Sequence, residues 1–89
     1  GCVQPGVVRT RIAGLNIRWV AFYRDGRFVK RVHNGTARRS VLVLRTRVQA
    51  WDFSLHTVRV RVRFIAGARP TAKTFLHRFA QCRAPGVTG

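Results

Sequence analysis

Residues 58–64 alternate between valine and arginine and end on a phenylalanine. Successive side chains of an extended strand point to opposite faces, so the valines share one face with Phe64. The opposite face then carries Arg59, Arg61 and Arg63. A helix would scatter both sets around its circumference, so this segment predicts a half-buried strand with a cationic outer face.

The chain has 89 residues, which is enough for one two-layer core. We expect a single domain over residues 1–84 and a linker or tail over residues 85–89. The sequence begins with Gly1 and has no methionine, so we expect a processed product or a piece of a larger protein. No apolar run approaches the roughly 20 residues of a membrane-spanning helix.

Eighteen lysines and arginines face two acidic residues, which gives a formal net charge of +16. A charge of this size attracts polyanions and weakens the compact state by self-repulsion. Sixteen of the 18 are arginine. GC-rich coding explains that preference without any function, whereas a planar guanidinium that pairs with phosphate, sulfate or carboxylate explains it through binding.

The two cysteines, Cys2 and Cys82, lie near opposite ends of the sequence. We expect a disulfide that joins the N-terminal and C-terminal strands, which by loop-closure entropy would contribute roughly 4 kcal/mol. Two free thiols are the alternative. A disulfide that brackets the domain fits an extracellular or cell-surface location.

Asp25 and Gly26 lie between two β-prone runs, and they predict a type I′ hairpin turn within residues 17–32 because Gly26 tolerates positive φ. With that turn, Tyr23 lies opposite Phe28, and Phe22 lies opposite Val29. The hairpin then has two faces, formed by Trp19, Ala21, Tyr23, Phe28, Lys30 and Val32 on one side and by Val20, Phe22, Arg24, Arg27, Val29 and Arg31 on the other. A count of large apolar groups favours the Trp19 face as the core.

Three further β-prone segments are residues 7–12, 40–48 and 72–82. Val8 and Ile12 would form the core face of the first, whereas periodicity leaves the buried face of the second open. Residues 49–55 break the alternation and predict a crossover loop whose aromatic residues cap the core. Six or seven short strands without helical periodicity predict an all-β sandwich.

Two segments, residues 20–29 and 55–62, resemble a bacterial immunoglobulin-like (Ig-like) domain of secreted and cell-surface proteins. The first is similar to the family's hairpin pattern V-x-F-Y-x-D-G-x-x-V, and the second to a strand entered through a small residue, histidine and threonine. The family usually has a glycine-containing turn before that histidine, where this chain has residues 51–55. The resemblance implies an Ig-like β-sandwich of about seven strands with Val20, Phe22 and Val29 in the core, against the count of apolar groups.

With that core, an aromatic cluster faces outward beside the arginines of residues 58–64. Aromatic and guanidinium groups together can bind rings and anions. The candidate binding face consists of Trp19, Tyr23, Phe28, Arg59, Arg61 and Arg63. Alternatively, arginine stems lie across the aromatic rings, or a neighbouring domain or second copy covers them.

Catalytic chemistry is hard to assemble from this sequence. Because Asp25 belongs to a turn, Asp52 is the one free carboxylate, and this excludes a paired-carboxylate mechanism. Neither the histidines nor the cysteines have metal-ligand spacing. His56 and His77 alternate with core residues and are expected to be buried and hydrogen-bonded. A serine triad from Ser40 or Ser54 would need Asp52 and a histidine to meet by coincidence, so we expect no enzyme, cofactor or metal.

These patterns indicate a non-catalytic structural or adhesive module of a larger extracytoplasmic bacterial protein, with neighbouring domains or copies of itself as partners. The alternative is a dedicated binder of polyanions, either nucleic acid or sulfated glycan. Nucleic-acid affinity would be incidental, because the arginines are spread along the whole chain and no nucleic-acid-binding motif is present.

Overall fold

The computed structural model describes residues 2–34 and 38–83, and over these the chain is all-β, with six strands in two sheets. The predicted tail at residues 85–89 lies outside the described residues. No helix that could cross a membrane occurs in the described ranges. The strands are β1 (Gly6–Leu15), β2 (Ile17–Arg24), β3 (Arg27–His33), β4 (Arg39–Val48), β5 (His56–Phe64) and β6 (Ala72–Phe79).

The two sheets have two and four strands, in the orders β1-β4 and β3-β2-β5-β6, and every pair is antiparallel. The connections β1 to β2, β3 to β4 and β4 to β5 each pass from one sheet to the other. About seven strands are predicted, and six are found in the described residues. Before β1, Val3 forms an isolated parallel bridge with Gln81 instead of a full strand.

The valine and arginine alternation of β5 behaves as the sequence predicts. Val58, Val60 and Val62 are buried, and the arginines between them face outward. They meet the inner faces of the other strands in a single core, whose members are Val8, Ile17, Val20, Phe22, Leu44, Val48, Val58, Val60, Val62 and Phe79.

The two-stranded sheet contributes the opposite layer of this core. Val8 is buried and Ile12 packs against the core, as predicted for the first strand. In β4, whose buried face the sequence leaves open, Leu44 and Val48 are buried and Val41 is exposed. The inner face of this sheet is partly polar, because it also buries hydroxyl-bearing side chains, those of Thr10, Ser40 and Thr46.

The hairpin of β2 and β3 has the predicted turn, with positive φ at both Asp25 and Gly26. Tyr23 pairs with Phe28 as expected, but a β-bulge then shifts the register, so that Phe22 pairs with Lys30. The bulge leaves Val29 exposed, and its prediction as a core residue is wrong.

The register shift exchanges the predicted faces of the residues beyond the bulge. Val32 pairs with Val20 and packs against the core, whereas Arg31 pairs with Ala21 on the outer face. Val20 and Phe22 are fully buried. The core face that the resemblance implies is therefore confirmed for β2, but not for Val29 in β3.

The ends of the domain are joined as predicted by a disulfide between Cys2 and Cys82, whose Cα atoms are 4.8 Å apart. Backbone hydrogen bonds from Val3 N to Ala80 O, 2.9 Å, and from Cys82 N to Val3 O, 2.8 Å, align the two segments. The first and last described segments therefore lie side by side and run in the same direction.

The crossover loop between β4 and β5 is held by polar contacts, and the prediction that its aromatics cap the core is wrong. Trp51 is 78% exposed and Phe53 is 43% exposed. Instead, the buried Gln81 Nε2 lies 2.9 to 3.1 Å from the carbonyl oxygens of Gln49, Ala50 and Asp52, and these three acceptors share its two N–H groups.

Candidate anion-binding face and histidine cluster

The outer face of the four-stranded sheet brings together all six residues of the candidate binding face. In the β2–β5 register, Trp19 pairs with Arg63 and Tyr23 with Arg59. Phe28 pairs with Tyr23 across the hairpin, and their rings meet edge to face at 5.7 Å. Arg61 lies between the other two arginines, opposite Ala21.

Two guanidinium groups lie over aromatic rings on this face. Arg59 lies 4.4 Å from the ring centroid of Tyr23, and Arg31 lies 4.4 Å from that of Trp19. These distances allow cation–π attraction. The aromatic rings are therefore covered in part by arginine, which is one of the alternatives that the sequence leaves open, while Phe28 stays 58% exposed.

Arg31 is the member of this face that sequence reasoning misses. Strict alternation from the turn assigns it to the core side, because the bulge at Val29 has no distinct signal in the sequence. That assignment conflicts with the burial of the core, since Arg31 would then lie opposite Val20, which is fully buried. That conflict is the signal that could have indicated an irregular register.

The two carboxylates of the chain both bind His56. Its Nδ1 lies 2.7 Å from Asp25 Oδ2, and its Nε2 lies 2.7 Å from Asp52 Oδ2. Each ring nitrogen needs a proton to donate to a carboxylate, so the arrangement is fully satisfied by the imidazolium form. The ring is buried and lies 5.7 Å from that of Phe79.

Each acid has further partners that fix its position. Thr57 N–H donates to Asp25 Oδ1 at 2.8 Å, and Ser54 donates to Asp52 Oδ1 from both its backbone N–H, 3.0 Å, and its hydroxyl, 2.5 Å. The cluster thus joins the hairpin turn, the crossover loop and the start of β5.

The pKa values of this cluster move in the directions that an ion pair requires. Hydrogen bonding to Asp25 raises the pKa of His56 above 6.5, although burial opposes this. Burial acts to raise the pKa of Asp25, but hydrogen bonds from His56 and Thr57 outweigh it and lower the pKa below 3.8. The two hydrogen bonds from Ser54, with that from His56, lower the pKa of Asp52 to about 2.

The structure does bring Ser54, Asp52 and His56 together, which the sequence suggests only as a coincidence. Their geometry differs from that of a catalytic triad, in which a neutral histidine accepts the serine proton. Here Ser54 Oγ donates to Asp52, and it lies 3.3 Å from a His56 Nε2 that itself faces Asp52. Nε2 therefore has no free lone pair for the hydroxyl.

His77, the second predicted buried histidine, is half-buried and links the two sheets. Its Nδ1 and Thr10 Oγ1 are 2.8 Å apart. In the described ranges, no group of three or more histidine, cysteine or carboxylate side chains is arranged so that it could hold a metal ion. The carboxylates of Asp25 and Asp52 instead each face a ring nitrogen of His56.

The His56 cluster holds both acidic side chains of the chain, and this affects the charge of the outer face. Both carboxylates lie at the turn end of the hairpin, and among the described arginines only Arg24 comes within ion-pair distance of one, at 3.8 Å. The arginines of the candidate face thus have no acidic side chain to neutralise them.

Comparison with known proteins identifies no relative of this chain. No family model, no curated protein and no solved structure matches it. The fold and the site therefore have to be interpreted from their own geometry.

Proposed function

We propose that this chain is an Ig-like, disulfide-closed module of a larger extracytoplasmic protein, with a structural or adhesive role. The strand order supports an Ig-like description. In Ig domains strands B and E share one sheet, and strands C, F and G share the other, extended by C′ in variable-type domains. Here β1 and β4 correspond to B and E, and β3-β2-β5-β6 corresponds to C′-C-F-G.

Some Ig features are replaced in this chain. Antibody domains carry a disulfide between strands B and F and a buried tryptophan on strand C. This chain joins its ends through Cys2 and Cys82, and Trp19 on β2 is half-buried on the outer face. The proposed likeness to Ig domains is thus one of sandwich architecture and does not extend to the disulfide and tryptophan of the antibody core.

The side-by-side position of Cys2 and Cys82 is the observation that carries this proposal. A parent chain that continues beyond both cysteines would enter and leave the sandwich at neighbouring points. Disulfides persist in oxidising compartments, which supports a location outside the cytoplasm. Neighbouring domains or copies of the chain are the proposed partners.

The His56 cluster supports a structural interpretation of the most reactive-looking residues. It holds the hairpin turn and the crossover loop against β5, and both its carboxylates are engaged by one histidine. We therefore propose that these groups stabilise the fold and do not act on a substrate.

A fusion experiment tests the module proposal. The 89-residue chain would be placed between two fluorescent proteins and exported to an oxidising compartment, with a Cys2→Ser/Cys82→Ser variant as the matched control. We expect a protease-resistant central domain and high energy transfer between the fluorophores, because Cys2 and Cys82 are adjacent.

A central domain that is cleaved as readily as an unfolded linker would contradict the proposal. So would low energy transfer in a domain that resists the protease, because Cys2 and Cys82 would then be far apart. In the double serine variant, energy transfer should fall and cleavage should increase.

A further inference from the structure

A depression of about 250 Å³ lies on the outer face of the four-stranded sheet. Its outward-facing lining belongs to two neighbouring cross-strand rows: Trp19, Arg63 and Ala72 form one, and Arg61 and Thr74 belong to the next. The small side chains of β6 leave the space open beside the two arginines.

The guanidinium groups in this depression are free to bind a ligand. Arg59 and Arg31 lie over aromatic rings, but Arg61 and Arg63 make no side-chain hydrogen bond, ion pair or ring contact with the described part of the chain. Both are exposed, and both carboxylates of the chain are bound to His56. The guanidinium groups of Arg61 and Arg63 are therefore available to bind an anionic ligand.

The spacing and shape fit a chain of tetrahedral oxyanions. Residues two apart on a strand lie roughly 6.7 Å apart, and each guanidinium can donate two parallel hydrogen bonds to a sulfate or phosphate group. The Thr74 hydroxyl can add a further donor, and Trp19, whose ring lies under Arg31, borders the depression.

We propose that this depression is a binding site for the sulfate groups of a sulfated polysaccharide, an activity that goes beyond the proposed structural role. Single-stranded nucleic acid fits less well, because its bases stack on open aromatic faces. Here arginines lie over the rings of Trp19 and Tyr23, so an approaching ligand would contact guanidinium groups and not open aromatic faces.

Calorimetric titration of the whole chain with heparin at about 150 mM NaCl tests the proposal, because nonspecific charge attraction weakens strongly as salt rises. The decisive comparison is between Arg61→Ser/Arg63→Ser and Arg9→Ser/Arg45→Ser. The control residues are exposed cross-strand partners on the outer face of the two-stranded sheet. Their substitution removes the same amount of charge. We expect about a tenfold loss of affinity in the first variant and less than about a threefold loss in the second.

Two uncharged substitutions separate shape from charge. Ala72→Phe and Thr74→Leu both fill the depression from exposed positions of β6. Each should lower heparin affinity by about tenfold while net charge stays constant, because the oxyanion can no longer approach both guanidinium groups. Circular dichroism and the unfolding midpoint of each variant would show that the fold is retained, which keeps this test separate from that of the module.

Any one of four results would overturn the proposal. The two double arginine variants could lose affinity equally, the filled variants could bind heparin as the native chain does, or desulfated heparin could bind as tightly as heparin. An oligothymidylate that binds more tightly than heparin at the same salt would also overturn it, in favour of nucleic acid.

Discussion

His56 lies between the two acidic side chains of a chain whose net charge is +16. The sequence predicts that it is buried and hydrogen-bonded, and the structure confirms this. The sequence does not predict Asp25 as its partner, because Asp25 is 31 positions away. The contact depends on the β2–β5 register, which places the hairpin turn beside Thr57.

The cluster predicts how stability depends on pH. Because the pKa of His56 is raised in the folded state, its contribution to stability is complete below about pH 6.5. That contribution is lost as pH rises through the folded-state pKa. Because the pKa values of Asp25 and Asp52 are lowered in the folded state, the contribution of these carboxylates to stability is complete above about pH 3.8. It is lost as pH falls through their folded-state pKa values, which for Asp52 is about 2. Urea unfolding over a pH series should therefore show highest stability between these limits.

Replacing His56 with glutamine provides the control for this pH dependence. The variant keeps a polar side chain but removes the cation between two carboxylates, so we expect it to be less stable by about 2 kcal/mol near pH 5.5. Its stability should change less than that of the native chain between about pH 5.5 and 8.5. An equal fall in both proteins over that range would assign the pH dependence to other groups.

At the scale of strands, the alternation of β5 and the Asp25-Gly26 turn could be predicted from sequence because each depends on local rules. Side-chain period fixes the faces of a strand, and positive φ fixes the turn. The bulge at Val29 has no local signal, since one extra residue changes the register without changing the local composition, and the placement of Arg31 on the core side is its one indirect sign. Strict alternation therefore places Arg31 on the wrong face.

Two phenylalanines on the same hairpin test which face is the core. Phe22 is 0% exposed and Phe28 is 58% exposed. Phe22→Ala should lower the free energy of unfolding by about 3–5 kcal/mol, whereas Phe28→Ala should cost less than about 1 kcal/mol. Urea unfolding of both variants at one pH measures the difference. The reverse order of costs would mean that the Trp19 face is the core.

The crossover loop depends on one buried amide. Gln81→Leu removes the three hydrogen bonds to loop carbonyls and leaves these acceptors without that donor. We expect a loss of about 1–3 kcal/mol and faster hydrogen exchange at the backbone N–H of Ser54, which donates to Asp52 in this loop. Unchanged exchange at Ser54 would show that the loop holds its position without Gln81.

At the scale of the whole molecule, the disulfide compensates for a charge that opposes folding. Reduction, or Cys2→Ser/Cys82→Ser, should lower stability by roughly 4 kcal/mol, because 80 positions separate the linked residues and the open chain gains entropy. Thermal unfolding with and without reductant measures this effect. The serine variant should not respond to reductant, and a native chain that is equally stable when reduced would contradict the prediction.

The all-β class, the disulfide and the buried face of β5 all follow from the sequence, because each depends on composition or on a simple period. The candidate face was predicted through six residues, but its depression was not. That space exists because Ala72 and Thr74 of β6 lie beside Arg63 and Arg61. Such a pairing between distant strands is a property of register and not of either segment alone.

The two-stranded sheet has a further consequence for the solubility of the protein. In the described part of the chain, β1 and β4 pair only with each other, so each has an open edge to which another strand could add. The outward arginines of these strands, at positions 9, 11, 45 and 47, make the approach of a second copy repulsive. In 0.1 M salt, repulsion between exposed charges is largely screened beyond about 10 Å. The ionic strength of the surroundings would therefore control how closely two copies can approach edge to edge.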